Sequence, residues 1–190
     1  MIIGITGQTA TGKSTLSNIF KKNGYLIFDA DKAYNLLFTE NHNMQQEILK
    51  EFNTLDKKNI LKTVMHNPEL LEKLNLITHK YVIHQINAFI NDNKNRNIVL
   101  DVPVPVEKGF INTADIIIVT VASKEIQIAR LTKRYSINKD QAVDRINMQM
   151  KWENYLEIGD IILNTTDTDE NDLISFIKIF ENTYIKGNKD

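Results

Sequence analysis

"GQTATGKS", residues 7–14, follows the apolar run "IIGIT" (2–6) and precedes a stretch in which Leu16, Ile19 and Phe20 recur at helical spacing. The eight residues fit G-x-x-x-x-G-K-[ST] in the setting its chemistry requires: a buried strand, a glycine-rich turn, then the first turn of a helix. Glycine lets the backbone curl until successive N–H groups point inward at phosphate oxygens. The helix N-terminus adds its positive dipole end. Lys13 brings a full charge to the β- and γ-phosphates, and the Ser14 hydroxyl can ligate Mg²⁺. The chain holds only seven glycines in 190 residues, yet Gly4, Gly7 and Gly12 all fall within its first twelve positions. The expectation is a nucleoside triphosphate site built from Gly7, Ala10, Thr11, Gly12, Lys13, Ser14 and Thr15.

Outward from this loop, Gly24 is a stop signal for the first helix. "YLIFD" (25–29), "IVLDVP" (98–103), "DIIIVTVA" (115–122) and "DIILN" (160–164) read as further strands. Continuous apolar strands alternating with helices predict an α/β fold, a parallel five-stranded sheet covered on both faces. Residues 33–92 break the alternation. Leu36/Leu37, Met44/Ile48/Leu49/Phe52 and Ile60/Leu61/Val64/Met65 repeat at three-to-four spacing, and Asn67–Pro68 open a helix through Leu71, Leu74, Ile77 and Tyr81. An inserted helical block after a strand is where an α/β enzyme places a substrate lobe. Ser123 caps a helix to about Arg134, Asn138 one to about Lys151, and Asp169 a last helix through Phe180, before a frayed tail "KGNKD". The length suits one domain. Its core is expected over about 1–31, 96–123 and 159–185, with a helical substrate lobe over about 32–95 and a helical lid over about 124–158.

Composition narrows the function. With 23 basic against 24 acidic residues there is no bulk attraction to nucleic acid or an anionic membrane. The absence of cysteine excludes disulfides, zinc thiolates and cysteine nucleophiles. No apolar run approaches the roughly 20 residues of a membrane span, and no signal peptide is evident. A cytoplasmic protein, a monomer or weak oligomer, with no nucleic-acid or membrane partner, is expected.

Asp29 and Asp31, in "FDAD", stand at the carboxyl end of the second strand, the edge that faces the ligand crevice in such sheets. If the strand persists, both point the same way. One can then orient or deprotonate an acceptor hydroxyl, while the other serves Mg²⁺ or caps the next helix. Asp101 ends the third strand, where a metal-side acid is expected. Pro103 and Pro105 keep the following segment extended, and Glu107 closes it. Gln127, Arg130 and Arg134 share one helix face, and Arg145 and Gln149 share another, opposite Val143, Ile146 and Met150. Two such helices with arginines facing a cleft would form a lid that neutralises transferred charge. "NKDQ" (138–141) is read as a helix cap and not as a guanine-reading motif. Of the four histidines, His42 and His66 read as surface residues. His79 reads as a core histidine or a substrate contact, and none has metal-ligand spacing.

In this order the motifs resemble the dephospho-CoA kinase family over nearly the whole chain. "TGQTATGKST" stands for its T-G-G-x-x-S-G-K-S/T loop, "FDADK" for its D-A-D, and "LNLITHK" for L-E-x-I-x-H-P. "LDVPVPVE" stands for D-x-P-L-L-F-E, "QIARLTKR" and "RINMQM" for the lid's Q-x-x-R-L-x-x-R and R-I-x-x-Q-M, and "GDIILN" for A-D-x-V-I-x-N. The departures are Gln8, Ala10 and Thr11 in the loop, Lys80 for proline, and Gly159 for alanine. The resemblance implies ATP- and Mg²⁺-dependent phosphorylation of the ribose 3′-hydroxyl of dephospho-CoA. By it, Lys13 and the loop hold ATP, Ser14 and Asp101 serve the metal, and Asp31 is base or orienter. Arg130, Arg134 and Arg145 neutralise charge from the lid, and Asn164 approaches the adenine. His79, Asp101, Pro103 and Arg145 lie on the acceptor's side.

Two rivals remain. A shikimate or nucleoside-monophosphate kinase would share the loop, and shikimate kinases also carry a strand-end D-x-D, but they favour a glycine triplet where this chain has "DVPVPVE". A non-catalytic nucleotide-binding module would lack the strand-end acids and lid arginines that are present here.

Overall fold

The computed structural model describes residues 1–65, 67–102 and 113–186. His66, Pro103, Pro105, Glu107 and the tail from residue 187 therefore lie outside the described residues. Strands β1 (Ile2–Thr6), β2 (Leu26–Asp29), β3 (Ile98–Asp101), β4 (Ile116–Val121) and β5 (Ile161–Asn164) form one parallel sheet in the order β2-β3-β1-β4-β5. β1 is central, with Ile5 opposite Asp101 on one side and Ile118 on the other. The carboxyl ends of β1, β3, β4 and β5 thus converge beside the phosphate loop.

The period of two along each strand decides which residues meet which helices. Ile3, Ile5, Val99 and Ile118 pack against Leu16, Ile19 and Phe20 of α1 (Lys13–Lys22) and Leu173, Ile177 and Phe180 of α9 (Glu170–Phe180). Ile117 and Val119 point to the other face and meet Tyr155 of α8 (Trp152–Leu156). A third cluster, Leu131, Ala142 and Ile146, joins α6 (Lys124–Tyr135) to α7 (Lys139–Asn147), with Ala10 of the loop against it. Gly159, where the family pattern has alanine, lies so near the sheet that a Cβ would fall 2.6 Å from Val119 Cγ2.

The chain divides into two compact units, Met1–Phe28 with Asn95–Asp190, and Asp29–Lys94. The second unit comprises α2 (Ala30–Glu40), α3 (His42–Phe52), α4 (Lys57–Val64) and α5 (Pro68–Asp92). It has buried residues of its own, among them Leu37, Met44, Ile48, Ile60, Val82 and Ile86. Lys73 of α5 pairs with Glu51 of α3 at 2.6 Å, and one turn and more further on Lys80 pairs with Glu47. Tyr81 Oη also donates to Glu47 at 2.7 Å. These two donors hold the Glu47 carboxyl below its usual range, and the carboxylate in turn pushes the Tyr81 phenol up to about 12. Lys80, in the family's proline position, therefore leaves α5 a continuous 25-residue helix and ties it to α3.

Two expectations are corrected. β2 ends at Asp29 and α2 begins at Ala30, so Asp29 and Asp31 do not share a strand face. Asp29 accepts from the Lys32 N–H at 3.0 Å as the N-cap, and Asp31 lies in the first helical turn. The helix expected to run from Asn138 to about Lys151 ends at Asn147, and α8 follows it. Arg145 and Gln149 consequently share no helix face, and Met150 packs beside Tyr155 instead of with Ile146. "NKDQ" is a capping box, with Asn138 and Gln141 each bonding the other's backbone N–H.

Proline at position 80 would remove one backbone N–H and clash with the carbonyl of residue 76. Lys80→Pro is therefore expected to cost about 3 kcal/mol or more in urea unfolding. Lys80→Ala loses only an exposed ion pair and is expected to cost under about 1 kcal/mol. Equal stability of the two variants would refute a continuous α5.

Candidate active site

The phosphate loop is held by its carbonyls. Lys13 Nζ donates to Gly7 O at 2.7 Å and Gln8 O at 2.8 Å. Thr11 Oγ1 also donates to Gln8 O at 2.8 Å. Arg130 donates to Ala10 O at 3.0 Å, and Thr165 Oγ1 donates to Thr11 O at 2.7 Å. A peptide plane whose carbonyl is drawn outward must present its N–H on the opposite side. The backbone required is left-handed at three places, with φ +137° at Gly7, +60° at Ala10 and +96° at Gly12. Gly7 has a second reason to be glycine: a Cβ there would fall 2.3 Å from the Thr120 carbonyl oxygen of β4.

The helix that follows differs from most of its fellows, α8 being the other without a side-chain cap. Helices α2–α7 and α9 each begin with an Asp, Asn or Ser side chain that accepts from a first-turn N–H. α1 has Gly12 at its N-cap, hence no side-chain cap, and no acid in its first turn. Such a cap stabilises a helix by about 1 kcal/mol, so its omission leaves the N–H groups and positive dipole end of α1 for an anion. Lys13 is nearly buried at this end, and Ser14 and Thr15 are exposed. Loop and helix fit the phosphates of a nucleotide.

Asp101 is reached from α1. Ser17, 4 % exposed, donates from Oγ to Asp101 Oδ2 at 2.8 Å and fixes one carboxylate oxygen. Among the described residues no cluster of three or more His, Cys, Asp or Glu side chains could hold a metal. Ser14 and Asp101 still suit Mg²⁺, which uses one or two protein oxygens together with substrate phosphates and water.

The three arginines separate into two kinds. Arg130 is a clamp: besides Ala10 O it donates to Thr165 Oγ1 at 3.0 Å and to Thr165 O at 2.7 Å. Arg134 and Arg145, from α6 and α7, are exposed and meet on one ring, with guanidinium carbons 5.3 and 4.4 Å from the Tyr135 centroid. Asn164 Oδ1 accepts from the Thr166 N–H and hydroxyl at 3.0 and 2.7 Å, shaping the turn after β5. Asp31 is exposed and His79 partly buried, and both belong to the helical unit.

A cavity of about 750 Å³ lies beside the loop, walled by Gln8, Gln127, Trp152, Tyr155 and Asn164. Burial pushes the Tyr155 phenol up to about 12. The sequence reading missed Ser17, Thr120 and Thr165. Thr120 and Ser17 carried a signal, a hydroxyl inside an otherwise apolar strand or helix face.

A parallel sheet whose central strand runs into this loop, with acids and arginines at its carboxyl edge, defines a P-loop kinase. A family model described as dephospho-CoA kinase matches residues 1–170, and the chain belongs to that family. A dephospho-CoA kinase of Fusobacterium nucleatum is 32 % identical over 188 residues, covering 95 % of this chain and 96 % of its own. A Thermus thermophilus protein of known crystal structure superposes with TM-score 0.80 at 24 % identity, covering 97 % of each chain. The Campylobacter jejuni dephospho-CoA kinase does so with TM-score 0.66 at 24 % identity over 98 % of each. At that identity the two structures speak for the fold.

Gly7 and Gly24 both have positive φ, but a Cβ at Gly24 meets nothing within 4 Å. Gly24→Ala is expected to cost about 1–2 kcal/mol of left-handed strain alone. Gly7→Ala adds a backbone clash, so a larger loss of stability and loss of ATP binding by calorimetry are expected. Similar behaviour of the two variants would contradict the approach of Gly7 to Thr120.

Proposed function

We propose that this chain transfers the γ-phosphoryl group of ATP to the ribose 3′-hydroxyl of dephospho-CoA, giving CoA and ADP. The observation that carries the reading is the uncapped α1 behind a phosphate loop tethered through the carbonyls of Gly7, Gln8, Ala10 and Thr11, in a chain of the dephospho-CoA kinase family. The acceptor oxygen attacks the γ-phosphorus as the bond to the β–γ bridging oxygen breaks. The hydroxyl proton passes to a carboxylate, for which Asp31 is the choice. Asp29 is the N-cap of α2, and Asp31 stands in its first turn.

Loop N–H groups from Gly7 through Thr15, that of Thr9 excepted because Gln149 holds it, and the Lys13 ammonium hold the β- and γ-phosphates. The Ser14 hydroxyl and the Asp101 carboxylate would hold Mg²⁺, which when bound supplies charge to the phosphate oxygens. Ser17 keeps Asp101 in place. Arg130 lends a fixed positive charge beside the loop, and Arg134 and Arg145 lend mobile ones. Asn164 and the turn after it approach the adenine of ATP. The helical unit, with His79, receives the acceptor. The protein acts in the cytoplasm as a monomer or weak oligomer in this reading.

The test is ADP release with Mg²⁺-ATP and dephospho-CoA, shikimate, nucleoside monophosphates or no acceptor, with CoA identified by mass. Turnover is expected with dephospho-CoA alone, and turnover only with another acceptor would discard it as the substrate. Asp31→Asn is expected to keep ATP binding and lower kcat by roughly 10²–10⁴-fold, the usual range for a general base. Undiminished kcat would remove Asp31 from that role.

A further inference from the structure

Three glutamines meet at the crest of the phosphate loop, and the proposed reaction uses none of them. Gln149 Oε1 accepts from the Thr9 backbone N–H at 2.5 Å. Gln8 Nε2 donates to Met150 O at 3.0 Å, and Gln8 Oε1 accepts from Gln127 Nε2 at 3.3 Å. Gln127 is only 3 % exposed. Gln8 stands where the family's loop has glycine, a residue that could make neither of its two side-chain bonds.

The clasp acts on one peptide unit. Gln8 O is already held by Lys13 and Thr11. With the Thr9 N–H held by Gln149, the peptide between Gln8 and Thr9 is fixed at both its carbonyl and its amide. Neutral hydrogen bonds contribute little net stability, and immobilising three glutamine side chains opposes even that. Gln127 must nevertheless be paired, because an unmet buried amide is costly. An arrangement that adds little stability while fixing one peptide plane has its effect in geometry.

α7 stops at Asn147, and a bond from the Gln149 N–H to Ile146 O tightens its end. That turn carries Gln149 and Met150 to the loop. We infer that Gln149 is a positioning residue for the nucleotide, acting through the Thr9 peptide, with Gln8 and Gln127 as its support. It holds the loop crest in its binding shape, so that ATP meets a preorganised cradle. The inference rests on the nucleotide-binding half of the proposed function and is independent of the acceptor.

The test is ATP affinity by calorimetry, in the full chain without acceptor, for the parent, Gln149→Met, Gln8→Gly and the double variant. Gln149→Met keeps length and removes the acceptor oxygen. The expected result is a five- to tenfold rise in Kd for either single variant, with Tm within about 3 °C of the parent for Gln149→Met and a larger fall for Gln8→Gly, which leaves the buried Gln127 amide unmet. The double variant should weaken binding by less than the product of the two, because both act on one peptide. The Thr9 amide should exchange its hydrogen faster in Gln149→Met. If that variant fails to fold, Gln8→Gly alone decides by the same measure. An unchanged Kd overturns the inference. So does a lower one, which would mean that Gln149 competes with the nucleotide for the loop. A parent chain that does not bind ATP overturns both this inference and the proposed kinase. Failure of dephospho-CoA as a substrate leaves the affinity measurement standing.

Discussion

The site depends on one constraint: a phosphate loop must turn its peptide N–H groups inward, and something must take the carbonyls that then face out. Here the donors come from four places. They are the loop's own Thr11, Lys13 at the start of α1, Arg130 of α6 and Thr165 after β5. Each such bond contributes about 0.5–1.5 kcal/mol net, more where the donor is charged. Against them stands the left-handed backbone at Ala10, which costs about 1–2 kcal/mol. Packing the half-buried Ala10 methyl against Leu131, Ala142 and Ile146 recovers at most about 0.8 kcal/mol. Packing offsets part of the strain at Ala10 and the Arg130 bond to its carbonyl offsets more, which is how alanine occupies a position that calls for glycine.

The same constraint reorganises the surroundings. Thr165 is 2 % exposed because its hydroxyl relays from Arg130 to Thr11. Thr120 is buried inside β4 because its hydroxyl meets Thr11 Oγ1 at 2.7 Å, while its carbonyl oxygen closes off any side chain at Gly7. The polar atoms within this part of the core are the mounting of the loop.

What could be read from the chain follows from the range of the forces involved. The loop, the strands and the helix caps are local patterns. A glycine turn, an apolar run, or Asn138 with Gln141 specifies its geometry within a few residues, and these were legible. Asp31 was misplaced because a strand-end acid and a helix cap look alike. The choice fell to the Asp29 side chain, which caps α2 and ends the strand early. The end of α7 had no local sign at all: Met148, Gln149 and Met150 continue the helical pattern without glycine or proline. There Gln149 and Met150 bond residues about 140 positions away in the chain, Thr9 and Gln8. Lys80 was legible as a departure from the family pattern, but its partner Glu47 lies on another helix and no spacing rule joins them.

The arginines show the cost of reading charge without contacts. Arg130, Arg134 and Arg145 looked equivalent, three cations on lid helices. In the structure the Arg130 guanidinium is bonded to the Ala10 carbonyl and to both oxygens of Thr165. An arginine side chain carries about 2 kcal/mol of rotamer entropy. For Arg130 that entropy is already lost on folding, so its charge stands beside the loop with no ordering left to do. Arg134 and Arg145 rest on the face of Tyr135 through exposed cation–π contacts, each worth about 0.5–1 kcal/mol. Such a contact is weak enough to exchange for a phosphate. In the proposed reaction this makes Arg130 the permanent charge and Arg134 and Arg145 the displaceable ones. That division follows from which acceptors each guanidinium finds.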